Sequence, residues 1–201
     1  MRIIKVLFLF SVCFACFLSC TSVSRKEILY VNLTDNTRFV LLPTEGIEMT
    51  MDMAQFLSAE FGGQNYFFNA WVKADENEME MTFFNELGAS LGELSYRNGV
   101  VHFSSNIIPR SVLRSFKPEY FIADFQLCFY DPFLLDKSLK DSGLVLETTD
   151  GDSRHGDSRH GSRRILNGNE VIIEIEKTGN TVKLVNHLRK YSYTLEGDFH
   201  E

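Results

Sequence analysis

From Ile47 the chain alternates between apolar and polar positions. Ile47, Met49, Met51 and Met53 fall between Glu48, Thr50, Asp52 and Ala54, the two-residue period of a strand with one buried face. Phe61-Gly62-Gly63-Gln64 reads as a turn, after which Tyr66, Phe68, Ala70 and Val72 alternate with Phe67, Asn69, Trp71 and Lys73, so both faces of this strand carry rings. Residues 75–78 form the next turn, and Met79, Met81 and Phe83 resume the alternation. Gly88 and Gly92 interrupt it before Leu94 and Tyr96 run into Arg97-Asn98-Gly99. Asn-Gly is a strong hairpin signal, because a type I′ turn needs positive φ at both central positions. Val101 and Phe103 then return. The pattern predicts a meander of five or six antiparallel strands with short connections, and Ile28-Leu29-Tyr30-Val31 is a candidate first strand.

Beyond Pro109 the period changes. Over residues 119–130, Tyr120, Ala123, Leu127 and Tyr130 recur at three- or four-residue spacing, as do Ile122, Phe125 and Phe129. This predicts a helix apolar nearly all round, which is buried or covers something apolar. Asp131-Pro132 stops it and starts a second short helix over residues 133–139, since proline is tolerated in a first helical turn. Strands resume at Arg164-Ile165-Leu166 and continue over residues 171–176, 181–186 and 191–195, with turns at Asn167-Gly168 and Thr178-Gly179-Asn180. Sheet, helices, sheet makes the chain mainly β with a helical insertion (α+β). Within the helix, Asp124 sits among Ile122, Ala123, Phe125 and Leu127, where an unpaired carboxylate would cost several kcal/mol. A bond to a backbone amide or to an arginine such as Arg164 is expected in preference to a ligand contact.

The start of the chain has a different character. Arg2 and Lys5 precede an apolar run over residues 6–18 that is short for a bilayer span and reads as a signal peptide. Phe17-Leu18-Ser19-Cys20-Thr21 resembles the lipobox of bacterial lipoproteins, which makes Cys20 the expected lipidation site; an ordinary signal peptide or an uncleaved anchor is the alternative. The expected organisation is a signal peptide (1–19), a lipidated N-terminus and tether (20–37), a domain (38–196) with a polar repeat loop at 150–163, and a C-terminal tail (197–201). Cleavage before Cys20 would leave Cys20 and Cys128 in the mature chain, so no internal disulfide is expected. Cys128, in an apolar string, reads as a buried inert thiol.

Charge and composition narrow the functions. Acidic residues outnumber basic ones 27 to 20, which leaves no electrostatic footprint for nucleic acid. Phe dominates the aromatics with 18 residues, implying a large apolar interior or a ring-lined cavity. Gly151-Asp152-Ser153-Arg154-His155 is copied as Gly156-Asp157-Ser158-Arg159-His160 with no apolar residue, the mark of a solvated loop. His155 and His160 as metal ligands, or Gly-Asp-Ser as an esterase nucleophile, are weaker readings, since a nucleophile needs an exposed strand-to-helix elbow. His102, His187 and His200 read as structural or solvent-facing, and Glu76, Glu78 and Glu80 as a solvated face. No phosphate-binding glycine loop, zinc-type cysteine cluster or catalytic constellation is present in the sequence. Neither a cofactor nor a metal is expected.

The string from Tyr120 to Pro132, Tyr-Phe-Ile-Ala-Asp-Phe-Gln-Leu-Cys-Phe-Tyr-Asp-Pro, resembles the Ala-Asp-x-Gln-Leu, aromatic, Pro segment of a family of bacterial outer-membrane lipoproteins of unknown function. Leu42-Pro43, Phe61-Gly62-Gly63-Gln64, Leu87-Gly88-Ala89-Ser90-Leu91-Gly92-Glu93-Leu94 and the Asn98-Gly99 turn fit too, so the resemblance covers about residues 39–195. Phe129-Tyr130-Asp131 departs from the family's Trp before the Pro, and the repeat loop is a further departure. That family is similar to LolA and LolB, the carrier and the outer-membrane receptor of lipoprotein transport. The resemblance implies an unclosed antiparallel β half-barrel, lidded by helices over an apolar cavity that holds acyl chains. Met49, Met51, Met53, Phe68, Met81, Phe83, Ile122, Phe125 and Phe129 are the expected cavity lining, although the methionines suit an ordinary core equally well. Asp124, Gln126 and Pro132 are the motif positions. The expected protein is a non-enzymatic outer-membrane lipoprotein of the bacterial cell envelope. It would be held to the membrane by its N-terminal lipid and bind acyl chains or lipoproteins, in lipoprotein sorting or lipid transfer. A structural or scaffolding lipoprotein with a filled core is the alternative, and an esterase using the repeat is the weakest reading.

Overall fold

The computed structural model describes residues 29–61, 63–105, 117–150 and 160–197. The signal segment with Cys20, the repeat residues 151–159 with His155, and the tail with His200 lie outside them. Two short strands, β1 (Tyr30–Asn32) and β2 (Arg38–Val40), form an antiparallel ribbon, followed by a 3-10 turn at Thr44–Gly46. Then come β3 (Met51–Phe61), β4 (Gln64–Ala74), β5 (Met79–Phe84), β6 (Ser90–Arg97) and β7 (Val100–Ser104). Two helices, α1 (Glu119–Phe129) and α2 (Pro132–Asp141), separate these from β8 (Val145–Asp150), β9 (His160–Asn167), β10 (Glu170–Thr178), β11 (Thr181–Asn186) and β12 (Tyr191–Gly197).

The two runs of strands form one antiparallel sheet of ten, ordered β7-β6-β5-β4-β3-β12-β11-β10-β9-β8. Each half is a meander of neighbouring hairpins, and β12 lying beside β3 joins them. Strands β7 and β8 are its edges, so the sheet is unclosed. Turn chemistry sets the register as expected: Asn98 and Gly99 adopt φ of 52° and 77°, and Asp75 accepts the amides of Asn77 and Glu78 at 2.7 and 3.0 Å.

One face of the sheet builds the core. In β3, Met51, Gln55 and Leu57 are buried while Asp52, Ala54 and Phe56 face out, and β4 to β6 repeat the alternation. Two irregularities bend the strands. Leu91 is an extra residue opposite the Phe83/Phe84 step, and Ile172 is extra opposite Ile165 and Leu166, so Ile172 and Ile173 are both buried. Helix α1 is buried from Ile122 through Phe129 because the sheet lies on one side and the β1 ribbon with residues 42–48 on the other. Asp131 caps α2, accepting the amides of Phe133 and Leu134, with Pro132 in the first turn.

Several sequence expectations need correction. The chain joins the fold before residue 38, since Val31 and Leu33 are buried, so residues 29–37 are not a tether. The ladder to β4 begins at Met51; Ile47, four residues earlier, bridges Tyr130 instead. Strand β8 has no predicted counterpart, because at this edge Val145 and residues 147–149 are exposed and a two-residue period never develops. Strand β9 begins at His160, so residues 160–163 pair with β10 and do not belong to the polar loop.

Candidate functional site

A cleft opens between α1 and the inner face of the sheet, where β12, β3, β4 and β5 lie side by side. Its floor is Gln55 and Leu57 from β3, Ala70 and Val72 from β4, Met81 and Phe83 from β5, and Tyr193 and Leu195 from β12. Phe121 and Phe125, one helical turn apart on α1, form the roof. As the side chains stand, the cleft encloses about 20 Å³, room for about one water molecule. Phe121 meets Phe83 edge-on at 6.1 Å between ring centres, and Phe125 packs on Phe129 at 4.9 Å.

Gln55 is the exception in this wall. It is 2% exposed, and neither its amide nitrogen nor its amide oxygen has a hydrogen-bond partner. Leaving a buried polar atom unpaired costs about 1–3 kcal/mol. Across the sheet Gln55 is flanked by Ala70 on β4 and Gly197 on β12, neither of which has a polar side chain to offer. A methyl group on Gly197 would stand 3.1 Å from the Gln55 Cγ, so the glycine is what admits the glutamine stem.

The remaining polar groups of α1 fasten the helix. Asp124 faces Tyr191, whose hydroxyl lies 2.9 and 2.8 Å from its two carboxyl oxygens, and Asn186 donates to that hydroxyl at 3.3 Å. Burial raises the Asp124 carboxyl to about 7, although the Tyr191 hydroxyl and the charge of Arg189 pull the other way. The expected arginine partner is not Arg164, which pairs with Glu174 at 2.9 Å. Gln126 forms a two-bond pair with the backbone of Leu42: its oxygen accepts the Leu42 amide at 2.9 Å and its nitrogen donates to the Leu42 carbonyl at 2.8 Å. Arg163, 7% exposed, donates to the carbonyls of Leu127 and Tyr130 at 3.0 and 2.8 Å and pairs with Glu48 at 2.9 Å, so it caps the end of α1. Gly46 sits under the Tyr130 ring, where a Cβ would come within 2.8 Å.

Cys128 is fully buried 3.9 Å from the Tyr193 hydroxyl, and burial, with Asp124 adding to it, pushes its thiol up to about 12. A thiol so held is no nucleophile near neutral pH. His102 is exposed on β7, and His187 is 3.7 Å from Glu174 at the surface. Glu78 pairs with Lys73 and Arg97 on the solvent side. Among the described residues no group of His, Cys, Asp or Glu is placed to hold a metal ion, and no helix is long and apolar enough to cross a membrane.

Of the residues expected to line a cavity, the structure brings Met81, Phe83 and Phe125 together in the cleft. Met51, Ile122 and Phe129 are buried elsewhere in the core, while Met49, Met53 and Phe68 are partly buried against it. Leu57, Ala70, Val72, Tyr193 and Leu195 were findable, since each occupies an inward slot of an alternating strand. Gln55 was findable as well: it continues the inward series Met49, Met51, Met53 and breaks its apolar character.

Residues 52–197 match the family model described as a protein of unknown function, DUF3261, and the chain belongs to that family. The match takes in every strand of the large sheet, both helices and the whole cleft except the first residue of β3. No curated protein matches the chain.

Proposed function

We propose that this protein is a lipid-anchored component of the bacterial outer membrane, attached through Cys20, that binds acyl chains or acylated proteins in the cleft beneath α1. The sheet serves as an unclosed half-barrel of the LolA and LolB kind, with α1 as its lid and no enzymatic chemistry. The observation that carries this reading is the cleft wall, apolar except for Gln55 and Tyr193 and roofed by two phenylalanines. Ten strands at about 4.8 Å spacing make a sheet about 43 Å from edge to edge, more than two helices cover if it lies flat, and the bulges in β6 and β10 support a curved sheet. The lipobox-like sequence at Cys20 supports the membrane anchor, and Thr21 in place of an aspartate favours the outer membrane.

The test is Phe125→Glu, made in the chain from residue 20 onward with Cys20→Ser so that it stays unlipidated. A fluorescent fatty-acyl probe should bind the parent saturably and the variant at least 100-fold more weakly, because a carboxylate would face apolar ligand atoms at a cost of several kcal/mol. Circular dichroism should show the variant still folded. A parent that binds no acyl probe, with a variant that unfolds, would instead support a scaffolding lipoprotein with a filled core.

A further inference from the structure

Every buried polar group that fastens α1 has a partner, whereas the Gln55 amide, in the wall of the cleft, has none on either atom. Tyr193, the other polar residue there, already has the Cys128 thiol beside its hydroxyl. The two ends of the Gln55 amide are a donor and an acceptor held side by side, and they call for a ligand group that accepts and donates over the same short span. No charged side chain lines the cleft, so an ionised head group would find no counter-charge there. An ester carbonyl accepts only and leaves the Gln55 oxygen unpaired; a bare hydrocarbon leaves both atoms unpaired.

We propose that Gln55 selects the head group of the cleft's ligand: an apolar chain bearing one uncharged group that both donates and accepts a hydrogen bond, an alcohol or a protonated fatty acid. This rests on the acyl-binding reading above and adds to it a requirement on the polar end of the chain. A bound chain would run along Leu57, Val72, Met81 and Phe83 by displacing the Phe121 and Phe125 rings, because the cleft as it stands encloses only about 20 Å³, and its head group would meet the amide between Ala70 and Gly197.

The experiment compares dodecan-1-ol, methyl dodecanoate and dodecane as competitors of a fluorescent acyl probe. The proteins are the Cys20→Ser chain from residue 20 onward and its Gln55→Met variant, which keeps an unbranched side chain of similar length. Hydration of the free competitors is the same for both proteins, so the change in the alcohol-to-alkane affinity ratio isolates the Gln55 contact. That ratio should fall about tenfold in the variant, the worth of a satisfied hydrogen-bonding group, with the ester changing less. Without ligand, Gln55→Met should melt no lower than the parent, because it removes an unpaired amide from the interior. If both proteins bind all three competitors with an unchanged ratio, the role of Gln55 is refuted while acyl binding stands. If the parent binds neither the probe nor any competitor, both readings fall. A Gln55→Met protein that melts far below the parent also overturns the proposal, since the amide would then be holding the fold.

Discussion

Asp124 gives the protein a pH dependence whose sign runs against the usual behaviour of a carboxylate. Most folded proteins lower the pKa of their aspartates and gain stability as pH rises. Here burial raises the Asp124 carboxyl to about 7 from its ordinary 3.8. Between those two values the unfolded chain gives up its proton while the folded chain keeps it, so stability falls as pH climbs from about 4 to about 7. Above about 7 both states are ionised and the loss is complete. Three pKa units at 1.36 kcal/mol each set its ceiling at about 4 kcal/mol.

Asp124→Asn removes the ionisation and keeps the shape. An asparagine still offers an acceptor to the Tyr191 hydroxyl, which donates to the carboxyl oxygens in the parent. Urea unfolding at pH 4, 5, 6, 7 and 8, followed by circular dichroism, measures both proteins. All other titrating groups are shared, so the difference between variant and parent reports Asp124. That difference should be near zero at pH 4, grow through pH 5 and 6, and level off above pH 7 with the variant more stable by up to about 4 kcal/mol. A difference that stays flat, or a parent that gains on the variant as pH rises, would falsify the reasoning. The second result would mean that Asp124 is ionised in the fold and that Arg189 outweighs burial.

Two further outcomes are expected. Arg163→Met should destabilise the protein by about 2–4 kcal/mol, since it leaves the Leu127 and Tyr130 carbonyls without their donor and Glu48 with Lys177 alone, 3.7 Å away; a midpoint about 10 °C lower in a thermal melt checks it. Cys20→Ala should abolish incorporation of radiolabelled palmitate and shift the protein out of the membrane fraction, because acyl chains supply anchoring at about 0.8 kcal/mol per buried methylene; label retained in the variant would point to Cys13 or Cys16.

What the sequence discloses about this fold depends on how local the cause is. The Asn98-Gly99 hairpin is legible because two adjacent residues supply the left-handed φ values it needs. The strand faces of β4 to β6 are legible because burial follows a two-residue period within a single segment. Helix α1 shows in its spacing and α2 in Asp131-Pro132, a cap and first-turn residue side by side. Partners set by the fold are not legible in this way. Tyr191 is 67 residues from Asp124, and nothing near Asp124 distinguishes it from Arg164 as a partner. Arg163 lies in a polar stretch after the repeat and reads as solvated, yet it is buried because the end of α1 needs donors. Gln55 shows the opposite failure: its inward position was readable, and only the packing of Ala70 and Gly197 on either side shows that its amide goes unmet.

The motif that carries the family resemblance and the cleft divide the surface of α1 between them. Residues four apart share a helix face. Phe121 and Phe125 form the face over the cleft, Asp124 and Cys128 face Tyr191 and Tyr193 on β12, and Gln126 with Tyr130 meets Leu42 and Gly46. Asp124 and Gln126 are thus occupied in holding α1 and Pro132 in starting α2, and substituting them should move stability before it moves any ligand preference. In the proposed binding, the selective contact comes from the cleft wall, where the sheet contributes eight of the ten lining residues. Among those eight, the side chain that costs the fold most and gives it least is the unpaired Gln55, so it is there that specificity is separable from folding.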